Sequence, residues 1–290
     1  MLPGLSAFRL GEKSSSSAGC VKPPMIFWGK ENTMNDIKAV GFDLFNTLIT
    51  VSPECVTEAM VRLTDTLRAE GIELEFESFR KAHRSAAVHF FKEAKAEGRE
   101  THNRFWISRA LSEFGCTVAP DDPLIGRGVD AYFSSFFEYS RLIPGTKEML
   151  KSLKGSYRLG LLSNFTHAPA ADILLERLGL PGFFDHVVIS GRVGYCKPDR
   201  RVFDLFLEGM GVKADEVVFV GDDPDADVKG ASNAGLKPVW TTYVTDNNLP
   251  HVVSVAAGPQ GDPGKEFPRI SSWDDLFALL GKRPSAPELP

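Results

Sequence analysis

Five short runs of aliphatic, β-branched and aromatic residues punctuate this chain: Ile37–Asp43, Tyr157–Ser163, His186–Ser190, Glu216–Asp222 and Lys237–Thr241. Turn-forming or acidic residues bound each of them. Helical patterns separate the last four. Pro169–Leu178 is apolar at Ile173, Leu174 and Leu178 and stops at Gly179. Arg200–Met210 follows Asp199, a good helix-starting residue, and stops at Gly211; Asp225–Ala234 stops at Gly235. Short apolar strands alternating with helices predict an α/β fold, a Rossmann-like parallel sheet with helices on both faces. Ligands of such sheets sit beyond the carboxyl ends of the strands.

More than a hundred residues separate the first run from the second, too many for a simple crossover. This insert reads as helices. Glu54–Glu70 places Val56, Met60, Leu63 and Leu67 on one stripe, and Glu77–Glu97 follows with Phe79, Ala86 and Phe90. Thr101–Phe114 carries Trp106, Ala110 and Leu111, and Asp122–Tyr139 carries Val129, Tyr132, Phe133 and Phe136. These are helix periods, not strand alternation. The expected organisation is a core of residues 34–50 and 143–255 with a helical bundle, 51–142, inserted into it. Leu142-Ile-Pro-Gly145 re-enters the core, and Thr146 is placed to cap the next helix. Residues 1–33, with the run Ser14–Ser17, read as a disordered extension without a signal-peptide pattern. Residues 256–290 read as a loose end with one short helix at Trp273–Leu280.

Composition narrows the function classes. The net charge of −5 gives no basic footprint for nucleic acid. No stretch approaches the 18 or so consecutive apolar residues of a membrane span. Cys20, Cys55, Cys116 and Cys196 are scattered and form no CxxC, which suits a reducing, cytoplasmic setting. The sequence is silent on oligomeric state.

Chemistry-bearing residues collect at the strand ends. The first run ends in Asp43, within Gly41-Phe-Asp-Leu-Phe-Asn-Thr-Leu48; the second ends in Ser163-Asn164. Lys197-Pro-Asp199 follows the third, and Gly221-Asp-Asp-Pro-Asp-Ala-Asp227 closes the fourth. A parallel sheet brings all four to one edge. An acidic cluster there suits a hard cation such as Mg²⁺, bound through oxygen. That cation and Lys197 would offset charge on a phosphoryl group attacked by Asp43.

Asp43-x-x-x-Thr47, Ser163, Lys197 and Gly221-Asp222-x-x-x-x-Asp227, in this order and on these elements, resemble the motifs of the haloacid dehalogenase superfamily. The insert resembles its helical cap of the first type. The resemblance implies that Asp43 is a nucleophile forming an aspartyl-phosphate. It implies that Thr47 and Ser163 hydrogen-bond the nucleophile region and the phosphoryl oxygens, and that Lys197 neutralises charge. Asp43, the backbone carbonyl of Phe45, Asp222 and Asp227 or Asp223 would hold Mg²⁺. Asn164, His167 and Arg104 are candidates for contact with a small phosphorylated substrate.

One position departs from the pattern. The family's phosphatases usually carry a second Asp two residues after the nucleophile, which protonates the leaving group and activates water. Here that residue is Phe45, which does neither and is most simply a packing residue facing the insert. General acid–base help of this kind is worth roughly 10²–10⁴-fold. The family's metal-free 2-haloacid dehalogenases also lack that Asp, but their fourth motif is poor in acid. Three readings follow: a Mg²⁺-dependent phosphatase, a dehalogenase using Asp43 without metal, and a binding protein that has lost turnover. Asp225 reads as a helix-start carboxylate. His83, His89 and His102 read as polar surface of the insert, and Trp106 as core.

Overall fold

The computed structural model describes residues 36–252 and 261–282. The N-terminal extension read in residues 1–33 lies outside them. The chain runs β1 (Ala39–Phe42), β2 (Ile49–Val51), α1 (Glu54–Ala69), α2 (Phe76–Glu97), α3 (Asn103–Ser112), α4 (Pro123–Ser134), α5 (Phe136–Tyr139) and β3 (Ser140–Leu142). It continues through α6 (Thr146–Leu153), β4 (Arg158–Ser163), α7 (Ala168–Leu178), β5 (His186–Ile189), α8 (Ser190–Val193) and α9 (Arg200–Met210). Then come β6 (Val217–Gly221), a π-helical turn (Pro224–Lys229), α10 (Gly230–Asn233), β7 (Lys237–Thr241), α11 (Tyr243–Asp246), β8 (Arg269–Ile270) and α12 (Trp273–Leu279).

Six strands form one sheet in the order β5-β4-β1-β6-β7-β8, every neighbouring pair parallel. β1 is central and wholly buried, as are Leu159–Ser163 of β4 and all of β6. Burial on both faces is why these strands read as unbroken apolar runs. α9 shows how one covering helix is specified. Val202, Phe203, Phe206 and Met210 make its buried stripe, Asp199 accepts the Arg201 N–H at its start, and Gly211 ends it at φ 60°.

β2 and β3 pair antiparallel, Val51 opposite Ser140, and the elements between them are helices α1–α5. α1 packs on α4 and α2 on α3, around Leu63, Leu67, Phe79, Ile107, Leu111 and Ile125. The single helix expected over Asp122–Tyr139 is broken at Ser135, whose hydroxyl donates back to the Tyr132 carbonyl. Thr146 does not cap α6. Gly145 occupies the cap at φ 77°, and the Thr146 hydroxyl instead donates to the Leu48 carbonyl at 3.2 Å. His83 is not a surface residue; it is buried among Phe79, Trp106 and Tyr132, where burial pushes its imidazole down to about 4.

The short helix expected at Trp273–Leu280 forms as α12, and residues 261–282, read as a loose end, are docked on the core. β8 extends the sheet beside β7 (Trp240 opposite Arg269, Thr241 opposite Ile270). α12 buries Trp273, Leu276, Phe277 and Leu279 in the same core as Met149 and Leu150. Ser272 caps it by accepting the Asp275 N–H, and the Trp273 indole donates to the Pro144 carbonyl at 3.0 Å. Among the described residues, no helix is long and apolar enough to cross a membrane.

Candidate active site

β1 delivers Asp43 to the carboxyl edge of the sheet, and the Asp43 N–H still bonds to the Val220 carbonyl of β6 at 2.9 Å. The chain then turns sharply. Asn46 adopts φ 56°, a left-handed conformation that Asn tolerates, and the turn leads into β2. The Asn46 amide donates to Asp222 Oδ2 and to the Val252 carbonyl, both at 3.2 Å.

At the end of β6, Gly221 is required by close approach: a Cβ there would stand 2.3 Å from the Asp227 carboxyl carbon. The stretch expected to be an α-helix from Asp225 opens as the π-helical turn. Asp223 accepts the Asp225 and Ala226 N–H groups, while Asp227 Oδ2 reaches back to the Asp223 N–H at 2.9 Å. This widened turn points Asp227 inward, a common use of π geometry. Asp225 stays exposed and pairs with Lys229, as a helix-start carboxylate would.

Lys197 is 4% exposed, and its ammonium has three acceptors: Asp43 Oδ1 at 2.6 Å, Asp227 Oδ1 at 2.6 Å and the Leu162 carbonyl at 2.9 Å. Burial opposes its charge, but Asp227 and Asp43 outweigh burial and hold the ammonium above its ordinary range. Asn164 clamps Lys197 from behind, donating to its carbonyl at 3.0 Å and accepting its N–H at 2.8 Å. The Asn164 side chain is exposed, so its second N–H and second lone pair remain open beside these two bonds.

Oxygens of Asp43, Asp222 and Asp227 lie within 4.8 Å of one another. Burial, then the Asp227 and Asp43 charges, push Asp222 well up, against the Asn46 hydrogen bond. Burial pushes Asp227 up to about 7; Lys197 pulls it the other way and Asp43 adds to the rise. One ammonium, bonded to Asp43 and Asp227, cannot offset three ionised carboxylates, which is why Asp222 and Asp227 hold their protons more tightly than usual. An all-oxygen donor set with that surplus of carboxylates fits a hard divalent cation. The Thr47 and Ser163 hydroxyls, both on fully buried residues, have no hydrogen-bond partner among the described residues. Buried hydroxyls are normally paired, so both are available to an oxyanion.

Phe45 lies with its ring on Phe165, centroids 5.1 Å apart at 24°, and edge-on to Phe136 of the insert at 6.2 Å. It packs against the insert, as the sequence suggested. Arg104 and His167 share a different spot. Their neighbours are His102 and Asp130, not the Asp43 cluster: His167 Nδ1 is 3.2 Å from His102 Nε2, and His167 Nε2 is 3.3 Å from Asp130 Oδ1. His102, read as surface, is the cap of α3, its Nδ1 accepting the Arg104 N–H. Beside Lys197, Gly98–Glu100 pairs with Gly194–Cys196 through backbone bonds, and the Ser190 hydroxyl donates a hydrogen bond to the Glu100 carboxylate. Asn46, Asp130 and Glu100 were not singled out from sequence. Only Asn46 carried a local signal, an Asn at a turn three residues after Asp43.

The family model of the haloacid dehalogenase-like hydrolases matches residues 37–235. Glyceraldehyde 3-phosphate phosphatase of Pyrococcus abyssi is 30% identical over 71% of this chain and 82% of that protein. Ribulose-1,5-bisphosphate 5-phosphatase of Halopiger xanaduensis is 31% identical over 69% of this chain and 83% of that protein. A 2-haloacid dehalogenase from Pseudomonas syringae pv. tomato shares the fold, with a TM-score of 0.62 and 23% identity, covering 84% of this chain and 98% of that one. The strand order, the four motifs at one sheet edge and these matches lead to one assignment: the chain belongs to the haloacid dehalogenase-like hydrolases.

Proposed function

We propose that this protein is a Mg²⁺-dependent phosphatase of a small phosphomonoester, working through an aspartyl-phosphate on Asp43. The observation that carries the reading is the convergence of Asp43, Asp222 and Asp227, of which Lys197 pairs with Asp43 and Asp227 and leaves Asp222 without a cation among the described residues. A metal-free dehalogenase has no use for that surplus of carboxylates. The phosphatase names of the relatives support the same side. Asp43, Asp222, Asp227 and the Phe45 carbonyl would hold the ion, which when bound supplies charge stabilisation at the phosphoryl oxygens.

The protein's own groups then divide the work. An Asp43 oxygen attacks phosphorus, and the ester P–O bond breaks with its electron pair going to the leaving oxygen. Lys197 compensates the charge on Asp43 and the phosphoryl group, and the Thr47 and Ser163 hydroxyls donate to phosphoryl oxygens. Water then cleaves the acyl phosphate, releasing inorganic phosphate and restoring the Asp43 carboxylate. Asn164 keeps Lys197 in place. The insert acts as a cap that excludes bulk water and selects the substrate; Arg104 of the insert and His167 of the sheet domain lie where the two meet. The unpaired Cys55, Cys116 and Cys196 fit a reducing, cytoplasmic setting.

Phe45 favours a second reading. With an aromatic ring where a proton donor is expected, Asp43 could instead displace halide from a 2-haloacid. Phosphate release from a panel of phosphorylated metabolites, with Mg²⁺ and with EDTA, separates the two. Metal-dependent phosphate release supports the phosphatase, and halide release in EDTA supports the dehalogenase. Tight phosphate binding without either turnover would identify a binding protein.

A further inference from the structure

Three side chains from three elements form a line where the helical insert meets the sheet domain. Asp130 belongs to α4 and His102 to the start of α3, both in the insert; His167 caps α7, just after β4. The direction of the line is set by the backbone. His102 Nδ1 accepts the Arg104 N–H at 3.2 Å, so that nitrogen carries no proton. A neutral ring then has its proton on Nε2. This nitrogen faces His167 Nδ1 at 3.2 Å, which must accept, leaving the His167 proton on Nε2, toward Asp130 Oδ1 at 3.3 Å. Every donor in the line meets an acceptor, and no other arrangement of neutral tautomers achieves this.

We propose that His102, His167 and Asp130 are positioning residues that hold the cap closed over Asp43, and that this closure requires both imidazoles to be neutral. A proton added to His167 turns Nδ1 into a donor facing the His102 Nε2–H. A proton added to His102 puts a donor against the Arg104 N–H. The first breaks the His102–His167 link between insert and sheet domain; the second breaks the cap at the start of α3 that aims His102 at His167. The adjacent packing makes the break matter: Phe133 of the insert lies flat on His167, 5.1 Å and 20°, and edge-on to Phe165 at 5.0 Å. Phe165 in turn stacks on Phe45, beside the nucleophile.

The surroundings favour neutrality. Burial first, then Arg104 and the neighbouring His167, push His102 down to about 4. Burial lowers His167 as well; Asp130 opposes the shift and Arg104 adds to it. Arg104 on α3 and Asp130 on α4 are the charged side chains acting on the pair. The sign follows. An open cap leaves ordinary imidazoles that take a proton near 6.5, whereas the closed line excludes it. Closure is complete above that value and weakens by up to about tenfold per pH unit below it, for each ring that must lose its proton.

The test uses the full chain labelled with ¹⁵N, together with para-nitrophenyl phosphate and Mg²⁺. Long-range imidazole spectra above neutral pH should show both rings as Nε2–H tautomers. Nuclear Overhauser contacts between Phe133 and Phe165 should be present there and fade as either ring takes its proton. In the same range KM should rise more steeply than kcat falls. Asp130→Ala, at an exposed side chain that the fold does not need, should raise KM severalfold with little change in kcat. A neutral Nδ1–H tautomer on either ring would overturn the proposal. So would a Phe133–Phe165 contact that survives protonation of both rings. The spectroscopic arm reads closure without catalysis, so it stands even if no phosphomonoester is hydrolysed, an outcome that would sink the phosphatase reading alone.

Discussion

Replacing Asp222 by Asn should make the metal-free protein more stable and its response to magnesium weaker. Asp222 is the carboxylate of the cluster that Lys197 does not hold; it accepts from the neutral Asn46 amide. Its oxygens stand within 4.8 Å of those of Asp43 and Asp227. At an effective dielectric of about 20, each such pair of full charges repels by about 3.5 kcal/mol. The repulsion cannot be realised in full, because Asp227 is pushed up to about 7 and is largely protonated on the acid side of neutrality. Protonation of Asp222 itself caps the cost further. A gain of about 1–2 kcal/mol is left for the isosteric Asn, or roughly 2–8 °C in Tm at about 2–4 °C per kcal/mol for a domain of this size.

The pH dependence gives the signature. The Asp222 carboxyl is raised in the folded state, so the wild type loses stability as pH climbs from the unfolded value near 3.9 toward the folded one. The advantage of Asp222→Asn should therefore vanish near pH 4 and grow toward neutrality. Calorimetry in chelator and in magnesium, across pH, reads both effects. An Asn variant that is less stable than wild type in chelator, or that keeps the full magnesium response, would refute the reasoning.

Asp43→Asn should abolish turnover and trapping by beryllofluoride while leaving the melting profile that of a folded protein; wild-type-like rates would remove the nucleophile. Lys197→Met strands Asp43 and Asp227 without their shared ammonium and should cost about 3–5 kcal/mol at neutral pH, with part of the loss recovered on acidification; denaturant titration at two pH values measures it. Phe45→Asp should raise kcat/KM for alkyl phosphates more than for para-nitrophenyl phosphate, by no more than about 10²–10⁴-fold. A folded variant with unchanged leaving-group preference would dismiss the idea that a missing proton donor limits this site.

The sheet was legible because its strands are buried on both faces, and α9 because stripe, cap and terminating Gly agree in one stretch. The convergence of Asp43, Lys197, Asp222 and Asp227 followed from topology: a parallel sheet gathers its strand ends. What escaped depended on partners far away in sequence. α12 is seven residues whose docking rests on Pro144 and α6. The π-helical turn is drawn in by Lys197, 30 residues earlier, through Asp227. His83 looks polar in the sequence and is made apolar in character by the aromatic rings packed around it. That Asn164 bonds the Lys197 backbone, 33 residues away, also lay beyond any local signal.

The pairing of Val51 with Ser140 means that the whole helical insert leaves and re-enters the sheet domain one ladder rung apart. Paired residues of an antiparallel ladder stand only about 4.5–5.5 Å from each other. A two-residue turn bridges such a gap, so the intervening residues could be excised or exchanged for another helical module without stretching a single strand of the main sheet. The strand-end cluster and the helices above it thus lie on separable lengths of chain, and the helices can be exchanged without moving the residues at the sheet edge.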